Sequence, residues 1–205
     1  MENYLMLNGK RVELTAQQVA EIKCSFGIGS MKLSEVAAGR TFTADDYEFV
    51  VLEQSGDTTA VILKGLYRDS AKFGDSNNFD GSDADRLCAE FADEISSIIG
   101  SENLIKHTID LTSDDGMRDY GKIKRKASLL TCNQYRKYVD VLDKYKLNKW
   151  WWLATAYSTP SHNHSSWVKC VSLGGGINFD YYYFGSGVRP FCIFNSNIFV
   201  SCQED

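Results

Sequence analysis

Apolar positions along this chain change their period several times. Val19, Ile22 and Phe26 recur at helical spacing behind Thr15, which forms a capping box with Gln18, and Gly27 offers a stop. A short helix is predicted there, joined to the rest of the chain through Gly27-Ile28-Gly29-Ser30. The period then becomes β. Tyr47 to Glu53 and Thr58 to Lys64 flank Ser55-Gly56-Asp57 and read as a hairpin. Phe49-Val50-Val51-Leu52 is apolar on both faces, which predicts a strand covered on both sides. After the polar loop Asp75 to Gly81, Ser82 caps a second helix with Asp85 near its start. Leu87, Phe91, Ile95 and Ile98 or Ile99 form its apolar stripe, and Gly100 ends it. Asp110 to Lys126 is polar and reads as a surface loop with short strands. Thr131 and Gln134 open a third helix whose inner face carries Tyr135, Tyr138, Val139, Leu142 and Tyr145.

From Trp150 onward the pattern is β to the end. Trp150 to Thr155, Trp167 to Ser172, Ile177 to Tyr182, Val188 to Phe194 and Ile198 to Ser201 are the predicted strands. Gly174-Gly175-Gly176 and Gly185-Ser186-Gly187 are the predicted turns. Two helices in the middle, with sheet on either side, predict an α+β fold: antiparallel sheets with two core helices and an N-terminal helical appendage. With only two prolines and no Pro-, Gly- or Ser-rich linker, the expected division is an appendage over 1–32 and a single α+β domain over 33–205.

Composition narrows the possible functions. The 205 residues include 43% hydrophobic and 24% charged, near the globular average, which favours neither a disordered nor a fibrous class. No stretch approaches a membrane span or a signal peptide, so a cytoplasmic, membrane-free protein is expected. Cys24, Cys88, Cys132, Cys170, Cys192 and Cys202 are scattered with no C-x-x-C pair, and they read as buried thiols rather than a disulfide frame. A formal charge of −5 argues against direct nucleic-acid binding and suits docking onto a basic surface.

Candidate chemistry is sparse. Asp75, Asn77, Asn78, Asp80, Asp83 and Asp85 invite a calcium loop. Placing Gly81 at the invariant glycine of an EF-hand, however, puts Ser76 at the first ligand position and Leu87 where a bidentate glutamate belongs. The loop therefore reads as solvated and feeding the cap at Ser82. His162 and His164 lack a third ligand and a neighbouring base, and His107 stands alone. No G-x-S-x-G elbow or phosphate loop occurs, so no catalytic residue, metal or cofactor is expected. The aromatic runs Trp150-Trp151-Trp152 and Tyr181-Tyr182-Tyr183-Phe184 stand out. Successive strand residues face opposite ways, so either both faces of the sheet are covered or some rings meet solvent. In the first arrangement Trp151 and Trp152 are structural. In the second a ring-lined contact surface forms from Tyr157, His162, His164, Trp167, Tyr181, Tyr182 and Tyr183. Arg189, before Pro190 in an apolar strand, is expected to be bonded to carbonyls or a carboxylate and to lock the C-terminal loops.

Trp151-Trp152-Leu153-Ala154-Thr155 followed by Gly187-Val188-Arg189-Pro190-Phe191 resembles the C-terminal signature of a Firmicutes and phage family, domain of unknown function 6273. Asp80-Gly81-Ser82 before a helix, and Leu129-Leu130-Thr131 before Tyr135-Arg136-Lys137-Tyr138, resemble further family segments. The resemblance runs from about Leu33 to Ser201 and departs at Ala154, where arginine is common, and at Phe191, where alanine is common. It implies a fold similar to C-type-lectin-like and formylglycine-generating-enzyme-like domains, without the enzymes' catalytic cysteines. The function expected is a non-catalytic phage- or prophage-associated module, in the host cytoplasm or on the virion, that binds a protein or a glycan through its aromatic surface. The alternative is a phage inhibitor of a host defence nuclease, of the anti-CRISPR type, that uses Asp75, Asp80, Asp83, Asp114, Asp115 and Asp119. A cryptic hydrolase comes third.

Overall fold

A computed structural model describes residues 4–7, 10–25, 31–162 and 165–201. It is mixed α+β with mostly antiparallel sheets. Among the described residues, the three α-helices begin at the caps legible in the sequence. In α1 (Ala16–Ser25), Gln18 N–H donates to Thr15 Oγ1 and Thr15 N–H to Gln18 Oε1. In α2 (Asp83–Ile99), Ser82 Oγ accepts from Asp85 N–H, and Gly100 ends the helix at φ 88°. In α3 (Cys132–Leu142), Thr131 and Gln134 close a full capping box. Each such cap stabilises its helix by about 1 kcal/mol. The stop at Gly27 and the hinge over 27–30 lie outside the described residues. The N-terminal segment is not purely helical: Tyr4–Leu7 and Lys10–Glu13 form an antiparallel hairpin ahead of α1.

The first sheet runs in the order Ala127–Ser128, Phe191–Asn195, Thr58–Leu63, Tyr47–Ser55, Thr41–Ala44. The second runs Ile177–Tyr181, Trp167–Val171, Trp151–Ala156, Gly185–Val188, Arg68–Lys72. Side-chain alternation distributes both sheets between two cores. Phe49, Val51, Val61, Trp152, Ala154, Val168 and Phe194 pack on the α2 side with Phe91 and Ile95. Val50, Leu52, Ile62, Trp151, Leu153 and Val171 pack on the α3 side with Tyr135, Tyr138 and Leu142. The strand through Phe49 to Leu52 is therefore covered on both faces, as its apolar run predicts. Burying one ring such as Phe91 contributes about 2–3 kcal/mol. Trp151 and Trp152 point into opposite cores, so the run at 150–152 is structural. On α3 the stripe is narrower than expected: Val139 is exposed, and Tyr145 lies in the adjoining 3-10 turn, where its hydroxyl donates to Gly39 O.

Two strand assignments change. Val188 to Phe194 is not one strand. Gly185–Val188 belongs to the second sheet and Phe191–Asn195 to the first, because Pro190 has no N–H for a ladder and the chain crosses between sheets at Arg189 and Pro190. Gly185-Ser186-Gly187 is thus strand rather than turn, and the chain turns instead over Tyr182 to Phe184. The glycine composition has a steric reason. Gly187 N–H donates to Trp150 O at 2.8 Å in the one parallel junction of the second sheet. A Cβ there would sit 2.6 Å from Leu66 Cδ1 and 3.1 Å from Trp150 O.

Arg189 spans the crossover. It is 1% exposed, its Nε donates to Leu63 O at 2.8 Å and its Nη2 to Lys64 O at 2.9 Å. Its guanidinium carbon lies 5.2 Å from the Trp151 ring centroid. Among the described residues no carboxylate pairs with it. Burial draws its pKa down to about 10, so it stays charged at neutral pH. Met31–Lys32 pairs with Phe199–Val200, which joins the start of the body to its end. No helix among the described residues is long and apolar enough to cross a membrane.

Gly187→Ala is expected to lower stability by ~1–3 kcal/mol in urea denaturation, since a backbone oxygen cannot yield as a side chain can. Gly174→Ala, where nothing lies within 4 Å of an added Cβ, should change it little and serves as the control.

Candidate aromatic binding surface

The aromatic residues past 156 collect on one face of the second sheet. In the antiparallel pair, Trp167 lies opposite Tyr181, Lys169 opposite Phe179 and Val171 opposite Ile177, so these side chains share a face. Val171 and Ile177 lie in the core beneath α3. The same face then continues past the helix, uncovered. There Tyr157, Trp167 and Phe179 meet with ring centroids 5.1–5.3 Å apart. Trp167 meets Tyr181 at 5.9 Å, Tyr181 stacks on Tyr183 at 5.1 Å, and Phe184 lies 5.6 Å from Tyr181. Phe179 is 42% exposed, Tyr183 51% and Phe184 49%. The second aromatic run is therefore surface where the first is core. Tyr182 is the exception within it. It turns inward against the α2-side core, and its carbonyl accepts Phe73 N–H.

Beneath the rings lies Lys169, 8% exposed. Its Nζ is 5.3 Å from the Tyr157 centroid and 5.8 Å from that of Phe179. It is also 3.0 Å from Asp114 Oδ2, while Arg136 Nη2 is 3.0 Å from Asp114 Oδ1. Burial opposes ionisation of Asp114, but bonds from Lys169 and Arg136 outweigh it and hold the carboxyl below its usual range. Asp114, Arg136, Asn133 and Thr155 line a cavity of about 530 Å³ at the start of α3. Lys169, Phe179 and Arg136 are absent from the sequence-predicted site. Two of them were within reach of period-2 spacing, since Lys169 lies two residues after Trp167 and Phe179 two residues before Tyr181.

The ladder strand Ile177–Tyr181 is a sheet edge. Ser172 N–H donates to Gly176 O and Tyr182 N–H to Ser166 O, so the even positions point inward and the odd ones outward. The outward amides of Phe179 and Tyr181 are taken by Asn178 Oδ1 at 2.9 Å and Asp180 Oδ1 at 2.8 Å.

The remaining candidates separate from the ladder or become local struts. His162 Nδ1 is 3.4 Å from Asp115 Oδ2, and Ser158 Oγ donates to the same oxygen at 2.5 Å. Serine and histidine thus share a carboxylate rather than form a serine-to-histidine relay. Burial works against Asp115 ionisation, yet Ser113, Ser158 and His162 bring its pKa to about 2. Asp119 accepts from Ser161 Oγ. His164 lies outside the described residues. Asp75 pairs with Lys72, Asp83 with Lys72 and Arg86, and Asp80 with Arg125, which also grips Asp85. The wholly buried Asn77 ties this loop to its neighbours, donating to Ser158 O and Trp167 O and accepting from Tyr120 OH. Cys88, Cys132, Cys170 and Cys192 are free and buried. Burial raises all four thiols, Cys132 to about 11 and Cys170 to about 12, so thiolate chemistry is suppressed at neutral pH.

No family model, curated protein or solved structure matches this chain.

His107 is a buried base against Phe191, with Nε2 2.9 Å from Ser128 Oγ. Among the described residues no hydrogen bond of good geometry reaches its Nδ1. Burial lowers its pKa from 6.5 to about 4, against a weaker upward pull from the Ile105 backbone. The unfolded chain therefore binds the extra proton first as pH falls. The stability associated with neutral His107 is complete above pH 6.5 and declines toward pH 4, by about 3 kcal/mol in all. Urea denaturation at stepped pH should show this slope, and His107→Gln should flatten it. The further loss below pH 4, from carboxylates such as Asp115, should remain. At the sheet edge, Asn178→Ala combined with Asp180→Ala frees two outward amides and should raise self-association in light scattering relative to the parent chain.

Proposed function

We propose that this chain is a binding module that catalyses no reaction and holds a protein or glycan partner on its aromatic face. The observation that carries this reading is the ladder itself. Tyr157, Trp167, Phe179, Tyr181, Tyr183 and Phe184 are joined ring to ring at one edge of the second sheet, where α3 no longer covers it. Rigid rings bury large area at low entropic cost, which is why they anchor interfaces. A solvent-facing cluster of this kind is otherwise a solubility burden.

The non-catalytic part of the reading is supported by chemistry. The described thiols are protonated at neutral pH, and the Ser158 hydroxyl donates its hydrogen bond to a carboxylate oxygen rather than to a histidine. The resemblance to the phage and prophage family supports work in the bacterial host cytoplasm or on the virion. It also favours a C-type-lectin-like class for the fold, in keeping with two helices flanking largely antiparallel sheets. The inhibitor reading has less support. An acidic mimic of nucleic acid needs unspent charge, whereas Asp75, Asp80, Asp83 and Asp114 are each paired with a lysine or arginine.

Affinity capture from a bacterial host lysate across a salt series separates the two readings. Capture that persists at roughly 0.5 M salt, where surface charge is screened, and that falls tenfold or more with Trp167→Ala or Tyr181→Ala is the expected result. Capture abolished by salt and by Asp75→Lys with Asp119→Lys, yet indifferent to the ring variants, would overturn it.

A further inference from the structure

We infer that the outer edge of the strand Lys122–Arg125 takes an extended acidic segment of a protein partner as an added strand. This edge shares no residue with the aromatic ladder, and the inference goes beyond the binding-module reading.

The edge is open. Lys122–Arg125 pairs antiparallel with His107–Asp110, setting Lys122 opposite Asp110 and Lys124 opposite Thr108. One step further, Leu111 N–H donates to Gly121 O at 3.0 Å. Bonded and non-bonded pairs alternate along an antiparallel ladder. The pairs Ile109–Ile123 and His107–Arg125 therefore hold the ribbon together, and the backbone groups of Lys122 and Lys124 point away from it. The strand has no second neighbour in its sheet. Among the described residues nothing accepts the two outward amides. Of the outward carbonyls, Lys124 O takes Arg125 Nη1 at 3.1 Å. The edge at Ile177–Tyr181 is the opposite case, since Asn178 and Asp180 cap its outward amides.

Charge selects the occupant. Alternation buries Ile109 and half-buries Ile123, and it exposes Thr108, Asp110, Lys122 and Lys124. Lys106 and Lys126 adjoin the two strands, and Arg118 stands exposed beside a small cavity that Lys122 also lines. Arg125 is turned aside, to Asp80 and Asp85. Against these lysines stands Asp110, 3.0 Å from Lys122. Among the described residues Lys106, Lys124 and Arg118 have no ion pair. In a chain of net charge −5 this is a local reversal of sign. Same-face residues of a strand stand roughly 7 Å apart, so acidic side chains at alternate positions of an incoming strand run alongside Lys122 and Lys124. Lysine on an open edge turns away neutral and basic strands, whereas an acidic strand is attracted by it. A nucleic acid cannot continue the donor–acceptor alternation of the ladder, and the net charge of the chain repels it.

The test adds a short synthetic peptide of alternating glutamate and threonine to the whole chain and follows backbone amides by NMR. The expected result is slowed hydrogen exchange at the Lys122 and Lys124 amides. Binding should weaken at least tenfold with Lys in place of Glu in the peptide, with methylation of every second peptide nitrogen in the register that faces the ribbon, and in the double variant Lys122→Glu with Lys124→Glu. Lys124→Pro, which removes one outward amide at an edge position where proline is tolerated, should weaken it too. Circular dichroism verifies that each variant is folded, and the methylated peptides need no variant at all. Trp167→Ala should leave binding unchanged. Absence of peptide binding would overturn the inference. So would binding indifferent to methylation in either register, which would mean attraction by charge without an added strand. Binding lost in Trp167→Ala, or matched by a single-stranded oligonucleotide of equal charge at the same amides, would overturn it as well.

Discussion

The fold depends on one charge held out of water. Arg189 sits where the chain leaves the second sheet and enters the first, and its guanidinium bonds the carbonyls that end Thr58–Leu63. Those carbonyls have run out of strand partners because Pro190 interrupts the ladder. A side chain with several donors in one plane repairs the gap, and the Trp151 ring partly offsets the cost of burying its charge. Leu63 N–H to Pro190 O and Tyr67 N–H to Val188 O complete the seam. Two sheets that would otherwise only abut are thereby locked at fixed register, and both faces of the pair become available for cores.

That register decides the fate of two chemically similar aromatic runs. Trp151 and Trp152 lie in the middle of a sheet with a helix on either side, so alternation sends one ring into each core. Tyr181 ends its strand at the rim, Tyr183 and Phe184 lie in the turn that follows, and all three stand in solvent away from α3. Composition is equal in the two places. Coverage is what differs: α3 begins over Thr155 and runs back across Trp151, away from Tyr157.

This explains what could be read in advance. Caps at Thr15, Ser82 and Thr131 are local events, complete within four residues, and they were legible. So was the doubly buried strand through Phe49 to Leu52, since an unbroken apolar run needs no knowledge of its neighbours. The division of Val188 to Phe194 between two sheets was hidden, because partner choice is non-local. Gly185-Ser186-Gly187 looked like a turn because glycine serves turns and close approaches equally well, and only Leu66 and Trp150 reveal which applies. Within the site, the gathering of Tyr157, Trp167 and Tyr181 was anticipated as one arrangement of two. Lys169 shares the face of Trp167 by period-2 spacing, but its pairing with Asp114, and the arrival of Arg136 from α3, depend on distant segments and leave no mark in the sequence.

The stoppered rim at Asn178 and Asp180 has a consequence for how this surface discriminates. A strand edge with open amides accepts nearly any extended chain, since all peptides share one backbone. Here that generic handle is occupied from within, two amides at a time. An added strand would find neither of these two amides free, so contact along this rim falls to the side chains rather than to the backbone ladder.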